Sequence, residues 1–416
     1  MKKTIQVILI GYIIASFSIS AYAQDVLETG GKEMSNEWID KDTHHKIVKL
    51  TRNNRSNFSF YFHNNPFIGD EMVFYSASKA VSKSAAQETY NMNTKDKQLF
   101  LINLKTLQSE RLTNHPGAMK GEIVYAKEKE VYYQVEDSVF RVNIDNKKEQ
   151  LLYVFPSDFK GEITTVNADG TLLGGTKSCD EEKEIYRKYP EKHDYFSRIF
   201  EARLPRTLFT INIKDKTLNK VFTDSAWLNH VQFSPTNPSL LMFCHEGHWH
   251  KVDRIWTLDI NSKKVILIHK RTMPMEIAGH EWFGDTGKNI WFDLQQPRGA
   301  SFFIAGVDLN TNTEKKYALK RDEWSVHYTT SKDEKIFAGD GGDTGSVAKA
   351  KDGKWINLFT PDGDKMVTEK LVNMYHHQYK LEPNIHFSPD GKWIIFRANF
   401  EGTENIYAVE LSKSMK

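Results

Sequence analysis

The chain has 416 residues, of which 12% are aromatic, and its 56 Lys and Arg against 54 Asp and Glu give a net charge of +2. Its apolar content of 39% is enough for a large buried core, so a disordered chain is excluded. The balanced charge lacks the clusters of Lys and Arg with which proteins bind nucleic acids, so we expect no nucleic-acid partner.

The N-terminus has the pattern of a signal peptide. Two lysines precede an apolar run at residues 5–17, and an A-x-A cleavage site ends at Ala23. We therefore predict that residues 1–23 are removed and that residues 24–416 form a periplasmic or secreted protein. No second apolar stretch is long enough to span a bilayer, so we expect no membrane insertion, and the oligomeric state stays open.

A unit of short strands and polar turns repeats along residues 24–416. In the last unit, the turn at 388–391 (Ser-Pro-Asp-Gly) precedes a strand at 393–396 and another at 405–411. Similar units lie near 59–113, 119–155, 163–223, 228–269, 277–319, 325–372 and 384–411. Four-stranded units repeated every 40 to 50 residues or so are typical of a β-propeller, so we predict an all-β, seven-bladed propeller.

The two ends of the chain are predicted to close this ring. The last unit contains three strands, and the early strand at 47–51 has no unit of its own. Pairing between them would complete the seventh blade and remove an open sheet edge.

An insertion at 178–207 interrupts the third unit. It is charged and aromatic, with a helical pattern near residues 195–202. Two interpretations stay open: a functional loop at one mouth of the channel, or a solvated excursion between strands. The sequence also leaves open whether Cys179 and Cys244 form a disulfide.

Histidines are concentrated in the C-terminal half, and several stand at equivalent places in successive units. Equivalent positions of neighbouring blades converge on the mouth of the channel, where imidazoles can bind a metal ion or an anionic sugar. A single histidine of this kind can equally be a hydrogen-bonded structural residue. The residues are His230, His245, His248, His250, His280, His327, His376, His377 and His386.

An ordered series of motifs resembles the oligogalacturonate lyase family, a group of seven-bladed polysaccharide lyases. The resemblance extends from about residue 45 to the end of the chain. Its motifs are Asp224-Ser225-Ala226-Trp227-Leu228-Asn229-His230, Phe243-Cys244-His245-Glu246-Gly247, Val252-Asp253-Arg254-Ile255-Trp256, Gly279-His280-Glu281-Trp282-Phe283, and His327 followed by Ala338-Gly339-Asp340-Gly341.

The resemblance implies cleavage of short, acidic oligogalacturonides by β-elimination with a manganese-type divalent ion. It implies Arg254 as the family's proposed Brønsted base, His280 as its active-site partner and His327 as a metal ligand. We expect four further residues to bind substrate, namely His230, His245, Tyr328 and Tyr379.

The last blade departs from the family pattern. Where the family has Gln-x-x-His-x-His, this chain has Tyr379, Glu382 and Asn384, and His386 follows on the same face of the expected strand. The predicted metal ligands are thus His327, Glu382, Asn384 and His386. Their oxygen donors suit Mn²⁺, with Ca²⁺ or Mg²⁺ as alternatives, and leave room for another uronide as substrate.

The chemistry leaves two assignments open. Removing the C5 proton of a uronate places negative charge beside a carboxylate, so a cation there stabilises the transition state. Either Arg254 has a strongly lowered pKa and takes the proton, or Arg254 binds the carboxylate while His280 is the base. The alternative function is a noncatalytic periplasmic propeller that binds sugars or proteins, in which the histidines do not converge.

Overall fold

The computed structural model describes residues 25–77 and 97–413. Within these ranges the chain forms short β-strands, two α-helices and two 3₁₀ turns. The predicted signal peptide at 1–23 lies outside the described residues. The described helices include none that is both long and apolar enough to cross a membrane.

The strands form seven blades, numbered here in chain order. Blade 1 contains β4 (Asn57–Phe58), β5 (Phe67–Ile68), β6 (Glu71–Ala77), β7 (Lys97–Asn103) and β8 (Ser109–Arg111). Blade 2 contains β9 (Met119–Tyr125), β10 (Glu130–Val135), β11 (Ser138–Asn143) and β12 (Glu149–Val154). Blade 3 contains β13 (Glu162–Val166), β14 (Leu172–Ser178), β15 (Arg206–Asn212) and β16 (Leu218–Asp224), with helices α1 (Asp180–Lys188) and α2 (Lys192–Ala202) between β14 and β15.

Blade 4 contains β17 (Trp227–Phe233), β18 (Leu240–Glu246), β19 (Ile255–Asp259) and β20 (Val265–Leu267), with a 3₁₀ turn at Trp249–Lys251. Blade 5 contains β21 (Ile277–Phe283), β22 (Asn289–Gln295), β23 (Phe302–Asp308) and β24 (Glu314–Leu319), followed by a 3₁₀ turn at Arg321–Glu323. Blade 6 contains β25 (Tyr328–Thr330), β26 (Phe337–Gly339), β27 (Trp355–Asp362) and β28 (Lys365–Asn373). Blade 7 contains β29 (His386–Phe387), β30 (Trp393–Ala398) and β31 (Asn405–Lys413), together with β1 (Val26–Leu27), β2 (Glu37–Asp40) and β3 (His45–Lys49).

The predicted closure of the ring is confirmed. Strand β3 pairs antiparallel with β31, and Ile47 stands opposite Val409. Two further strands, β2 and β1, extend this sheet beyond the single strand that was predicted. The N-terminal part of the chain therefore completes the last blade.

Apolar cores between neighbouring blades hold the ring together. Among the described residues there are seven such cores, one for each pair of adjacent blades around the circle. Blades 6 and 7 share a core that contains Ile356 and Trp38, and blades 7 and 1 share one that contains Ile395 and Phe74. Because each sheet face is covered by the next blade, the apolar strands of all seven blades are buried.

The two helices form a packed wall beside blade 4. Ile199 and Phe200 of α2 share a core with Trp227 and Val252. Gly247 has φ +141°, and a Cβ there would lie 2.3 Å from Phe200, so this close approach depends on glycine. The helical pattern predicted near 195–202 corresponds to the C-terminal part of α2, whereas α1 was not predicted.

His269 bridges two carboxylates between blades 4 and 5. Its Nδ1 lies 2.6 Å from Glu314 Oε2 and its Nε2 lies 2.7 Å from Glu276 Oε1. Burial alone would lower the pKa of His269, but hydrogen bonds and charge from Glu314 and Glu276 raise it above 6.5. The imidazolium is therefore more stable in the folded chain than in the unfolded one.

This raised pKa predicts a pH dependence of stability. The contribution of His269 is complete below pH 6.5 and is lost as the pH rises through the raised pKa of the folded state. We expect urea denaturation to show that the difference in free energy of unfolding between wild type and His269→Gln shrinks as the pH rises from below 6.5 to above the raised pKa. A difference that grows with pH would contradict this assignment.

Candidate active site

A cavity of about 1480 Å³ lies where the inner strands of several blades meet. His230 of β17, His280 of β21 and Glu382, which precedes β29, all line it. Lys192 and Phe196 of α2 form part of its wall, so the helical insertion lies beside the cavity. The cavity is large enough for a short oligosaccharide.

The two cavity histidines of blades 4 and 5 share an unusual backbone conformation. His230 has φ +49° and His280 has φ +45°, and each stands where the inner strand loses register with its neighbour. A left-handed conformation is costly for a residue other than glycine and is common at functional sites. The bulge places the two imidazoles at the same position in adjacent blades.

A segment of blade 1 crosses into the centre of the ring. This axial segment, residues 58–65, joins β4 to β5 and was not predicted. The Tyr61 N–H donates to Glu122 Oε2 at 2.6 Å, and the Phe62 N–H donates to Asn384 Oδ1 at 3.0 Å. The Phe62 ring stacks on the ring of His327, with a centroid distance of 4.7 Å. The axial segment therefore contacts blades 2, 6 and 7 and contributes to the centre of the site.

Arg254 is buried between two carboxylates. It donates from Nη1 to Glu246 Oε1 at 2.8 Å and from Nε to Glu281 Oε2 at 2.9 Å. The Trp249 ring lies over the guanidinium, 4.8 Å from Cζ. Burial alone would lower the pKa of Arg254, but the Cys244 thiol and the two carboxylates raise it well above its ordinary value. The side chain is thus held as a rigid cation.

His280 and His327 are each oriented by a buried carboxylate. His280 donates from Nδ1 to Asp293 Oδ1 at 2.9 Å, and His327 donates from Nδ1 to Asp340 Oδ2 at 2.8 Å. The backbone N–H of His327 also donates to Asp340, at 2.8 Å. Since a carboxylate acts only as an acceptor, the neutral form of each imidazole has its proton on Nδ1 and its lone pair on Nε2. The two rings are 4.6 Å apart.

The Nε2 atom of His327 is a candidate metal ligand. It is buried and has no hydrogen-bond partner in the part of the chain that the structure describes. Glu382 Oε2 lies 3.8 Å from it. Burial would raise the pKa of Glu382, but its interaction with His327 and with the cations Arg397 and Lys192 lowers it, so the carboxylate is ionised. An unpaired imidazole nitrogen beside a carboxylate is the arrangement that a divalent cation requires.

Carboxylates outnumber guanidinium groups in the hydrogen-bonded network around the two imidazoles. Arg254 and Arg397 supply guanidinium groups there, and Arg397 interacts with Glu382 and with the carboxylate behind His327. Five carboxylates belong to the same network, those of Glu246, Glu281, Asp293, Asp340 and Glu382. A bound divalent cation, together with lining residues such as Lys192 and Arg298, can supply the positive charge that an acidic substrate needs.

Two of the four residues predicted to bind substrate line the cavity. His230 Nε2 lies 3.4 Å from Glu246 Oε2, and Tyr379 donates its hydroxyl to the Asp340 carbonyl oxygen at 3.0 Å. The other two do not line it. The ring of His245 stacks on Trp256 outside the cavity. Tyr328 is fully buried in the core between blades 5 and 6, which excludes contact with a substrate.

Two predicted metal ligands are likewise engaged elsewhere. Asn384 has φ +47° and donates from Nδ2 to the Glu382 carbonyl oxygen, while its Oδ1 accepts from Phe62. His386 Nε2 donates to the Asn64 carbonyl oxygen at 3.1 Å. The prediction assumed an extended strand through Asn384, but its left-handed conformation breaks the alternation, so His386 does not join His327 and Glu382.

A second group of metal-binding atoms lies nearby. Ligand atoms of His230, Cys244 and Glu246 are all within 4.8 Å of one another. Arg254 already pairs with Glu246, and its charge opposes a cation there. Cys179 and Cys244 are both free thiols, so the open question of a disulfide is answered.

The fold and this site define a propeller of the polysaccharide-lyase type, and comparison with known proteins agrees. Residues 32–415 match the family described as oligogalacturonate lyase. This chain therefore belongs to the oligogalacturonate lyase family, and the resemblance in its motifs is confirmed. The chain is 23% identical to the oligogalacturonate lyase of Dickeya dadantii over 92% of its own length and 99% of that protein. It is 21% identical to the oligogalacturonide lyase of Pectobacterium atrosepticum, over 90% and 96% of the two chains.

Two solved structures share the fold. An oligogalacturonate lyase from Vibrio parahaemolyticus has a TM-score of 0.74 and 20% identity, with 95% of this chain and 100% of that chain covered. An oligogalacturonate lyase in complex with manganese also has a TM-score of 0.74, with 18% identity and coverage of 93% and 99%. At these identities the structural likeness establishes the seven-bladed fold.

Because two carboxylates compensate the buried charge of Arg254, loss of one of them should strongly lower the stability of the folded protein. Glu281→Ala leaves a buried guanidinium partly uncompensated, so we expect it to lower the free energy of unfolding by about 3 kcal/mol. The matched control is Glu37→Ala, which removes the exposed partner of Lys46 and should cost less than about 1 kcal/mol. Equal effects of the two substitutions in urea denaturation would contradict the assignment.

Proposed function

We propose that this protein cleaves short oligogalacturonides by β-elimination and releases a product with an unsaturated uronyl end. The observation that carries the proposal is that Arg254, His280 and Glu382 line one cavity, with the buried His327 Nε2 3.8 Å behind the Glu382 carboxylate. These groups come from blades 4, 5, 6 and 7, so the cavity, and not any single blade, forms the site. A noncatalytic propeller would not require this arrangement.

His327 Nε2 and the Glu382 carboxylate are the residues that would hold a divalent cation. The buried, unpaired Nε2 beside an ionised carboxylate fits such an ion, and the mixed nitrogen and oxygen donors suit Mn²⁺. When bound, the cation neutralises the substrate carboxylate and stabilises the negative charge that develops beside it.

His280 is the base in this proposal. Two carboxylates hold Arg254 in its charged form, and a guanidinium without a free lone pair cannot accept a proton. His280 keeps its Nε2 lone pair free because Nδ1 donates to Asp293. Arg254 then orients the uronate with its remaining N–H groups while His280 Nε2 removes the C5 proton. Of the two assignments that the sequence left open, we therefore adopt the one in which Arg254 binds the carboxylate and His280 is the base.

The activity has a direct test. We expect purified protein with Mn²⁺ and trigalacturonate to produce the ultraviolet absorbance of an unsaturated uronide, and EDTA to abolish it. His280→Ala should lower kcat by about 100-fold or more, because general-base catalysis contributes at least that much. Added imidazole should restore part of the activity of His280→Ala.

The control is His376→Ala, which removes a histidine that contacts Glu28 on blade 7 and does not line the cavity. It should retain the activity of the wild type. Absence of product from every uronide tested, or an undiminished kcat in His280→Ala, would contradict the proposed function.

Metal binding can be measured without the reaction. Asp340→Asn removes the carboxylate that orients His327, so we expect about a 10-fold to 100-fold weaker affinity for Mn²⁺ in calorimetric titration. Asp333→Asn, in a turn of the same blade, is the matched control and should bind normally. Equal affinities of the two variants would rule out His327 as the ligand.

We further propose that the protein acts in the periplasm or outside the cell, on the basis of the leader at 1–23. N-terminal sequencing of the protein from its native host should find Gln24 as the first residue. An uncleaved Met1 would contradict export by this route.

A further inference from the structure

The site contains a phenol for which the mechanism above has no role. Tyr61 belongs to the axial segment and lines the cavity. Its ring centroid lies 5.2 Å from that of His327 and 6.3 Å from that of His230. Tyr61 therefore lies close to the candidate metal ligand His327 and to His230 of blade 4, at the edge of the cavity.

The hydroxyl of Tyr61 is available, in contrast to those of the two tyrosines that the sequence singled out. The Tyr379 hydroxyl donates to the Asp340 carbonyl oxygen, and the buried Tyr328 hydroxyl accepts from the Ser325 N–H at 2.8 Å. Among the described residues, none forms a hydrogen bond to the Tyr61 hydroxyl. The Tyr61 hydroxyl is not one of the buried polar atoms that lack a partner, so it is exposed to the cavity that Tyr61 lines.

The position of Tyr61 is fixed by its surroundings. Its backbone N–H is held by Glu122, and its ring packs edge-on against Phe62 and His63, at centroid distances of 4.8 and 4.9 Å. The next N–H along the chain is held by Asn384. A side chain fixed in this way, with a free donor, is preorganised to contact a bound substrate.

We propose that Tyr61 is the catalytic acid that protonates the leaving oxygen of the substrate, an inference that rests on the proposed function. When His280 Nε2 removes the C5 proton, the electron pair of the C5–H bond forms the C4=C5 double bond. The C4–O4 bond then breaks, and its electron pair stays on O4. The Tyr61 hydroxyl donates its proton to O4. Water from the open cavity then returns a proton to the tyrosinate, and the resulting hydroxide takes the C5 proton from the His280 imidazolium, so both residues regain their starting states.

An acid is needed at this position because the departing oxygen is a sugar alkoxide, which is a strong base. Its departure without a proton would place a second negative charge beside the carboxylate of the substrate. Proton donation by a positioned side chain removes that cost. The elimination needs one base and one acid. His280 is oriented to accept a proton and is the base, so Tyr61 completes the pair.

The test compares two leaving groups in the same protein. Tyr61→Phe keeps the ring and removes the hydroxyl oxygen. With trigalacturonate, we expect kcat to fall by about 100-fold or more and KM to change little. With a 4-deoxy-4-fluoro-galacturonoside, whose fluoride leaves without a proton, Tyr61→Phe and wild type should agree within a few fold. Tyr375→Phe, an exposed tyrosine outside the cavity, is the control for both substrates.

Two outcomes would overturn this role. An unchanged kcat with trigalacturonate would show that the hydroxyl is not the acid. Equal losses with both leaving groups would assign Tyr61 a positioning or folding role, and thermal melting would separate these two. Failure of the wild type on every uronide would instead refute the proposed function, so the two failures are distinguishable.

Discussion

The burial of every sheet face against a neighbouring blade is the constraint on which the structure depends. Seven apolar cores form a closed circle, and β3, by pairing with β31, adds Val48 to the core between blades 7 and 1. An open ring would expose a sheet edge and two apolar faces. Closure also fixes the distances between inner strands, so side chains that are far apart in sequence meet at the centre.

The chemistry of the centre follows from an uneven distribution of charge. The ring brings together more carboxylates than guanidinium groups, and each carboxylate has a specific partner. Two of them hold Arg254 in its charged form, and two others set the tautomers of His280 and His327. The same network that prevents Arg254 from acting as a base leaves His280 with a free lone pair. A divalent cation then balances the site for an acidic sugar.

Much of the fold could be predicted from the sequence, because turn motifs and alternating strands carry local signals. The early strand near 47–51 could be assigned to ring closure since the last unit lacked a partner. Arg254, His280 and His327 were found through their motifs and equivalent positions in successive units. The motifs also contained Glu246 and Glu281, but no local pattern reveals that both face one guanidinium.

The remaining features depend on backbone geometry that no local sequence pattern indicates. Residues 58–63 alternate aromatic and polar side chains like an inner strand, and this hid the axial segment and Tyr61. Asn384 was expected in an extended strand, but it has a left-handed conformation, and His386 Nε2 donates to the Asn64 carbonyl oxygen. In both cases tertiary hydrogen bonds overrode the local pattern: the Tyr61 N–H donates to Glu122, and the Phe62 N–H donates to Asn384 Oδ1.

The most direct measurement is a crystal structure of His280→Ala with Mn²⁺ and trigalacturonate, with the metal located by anomalous scattering. The account predicts an anomalous peak at His327 Nε2 and Glu382, with a uronate between Arg254 and Tyr61. A peak at His230, Cys244 and Glu246, or a saccharide bound outside the cavity, would contradict it.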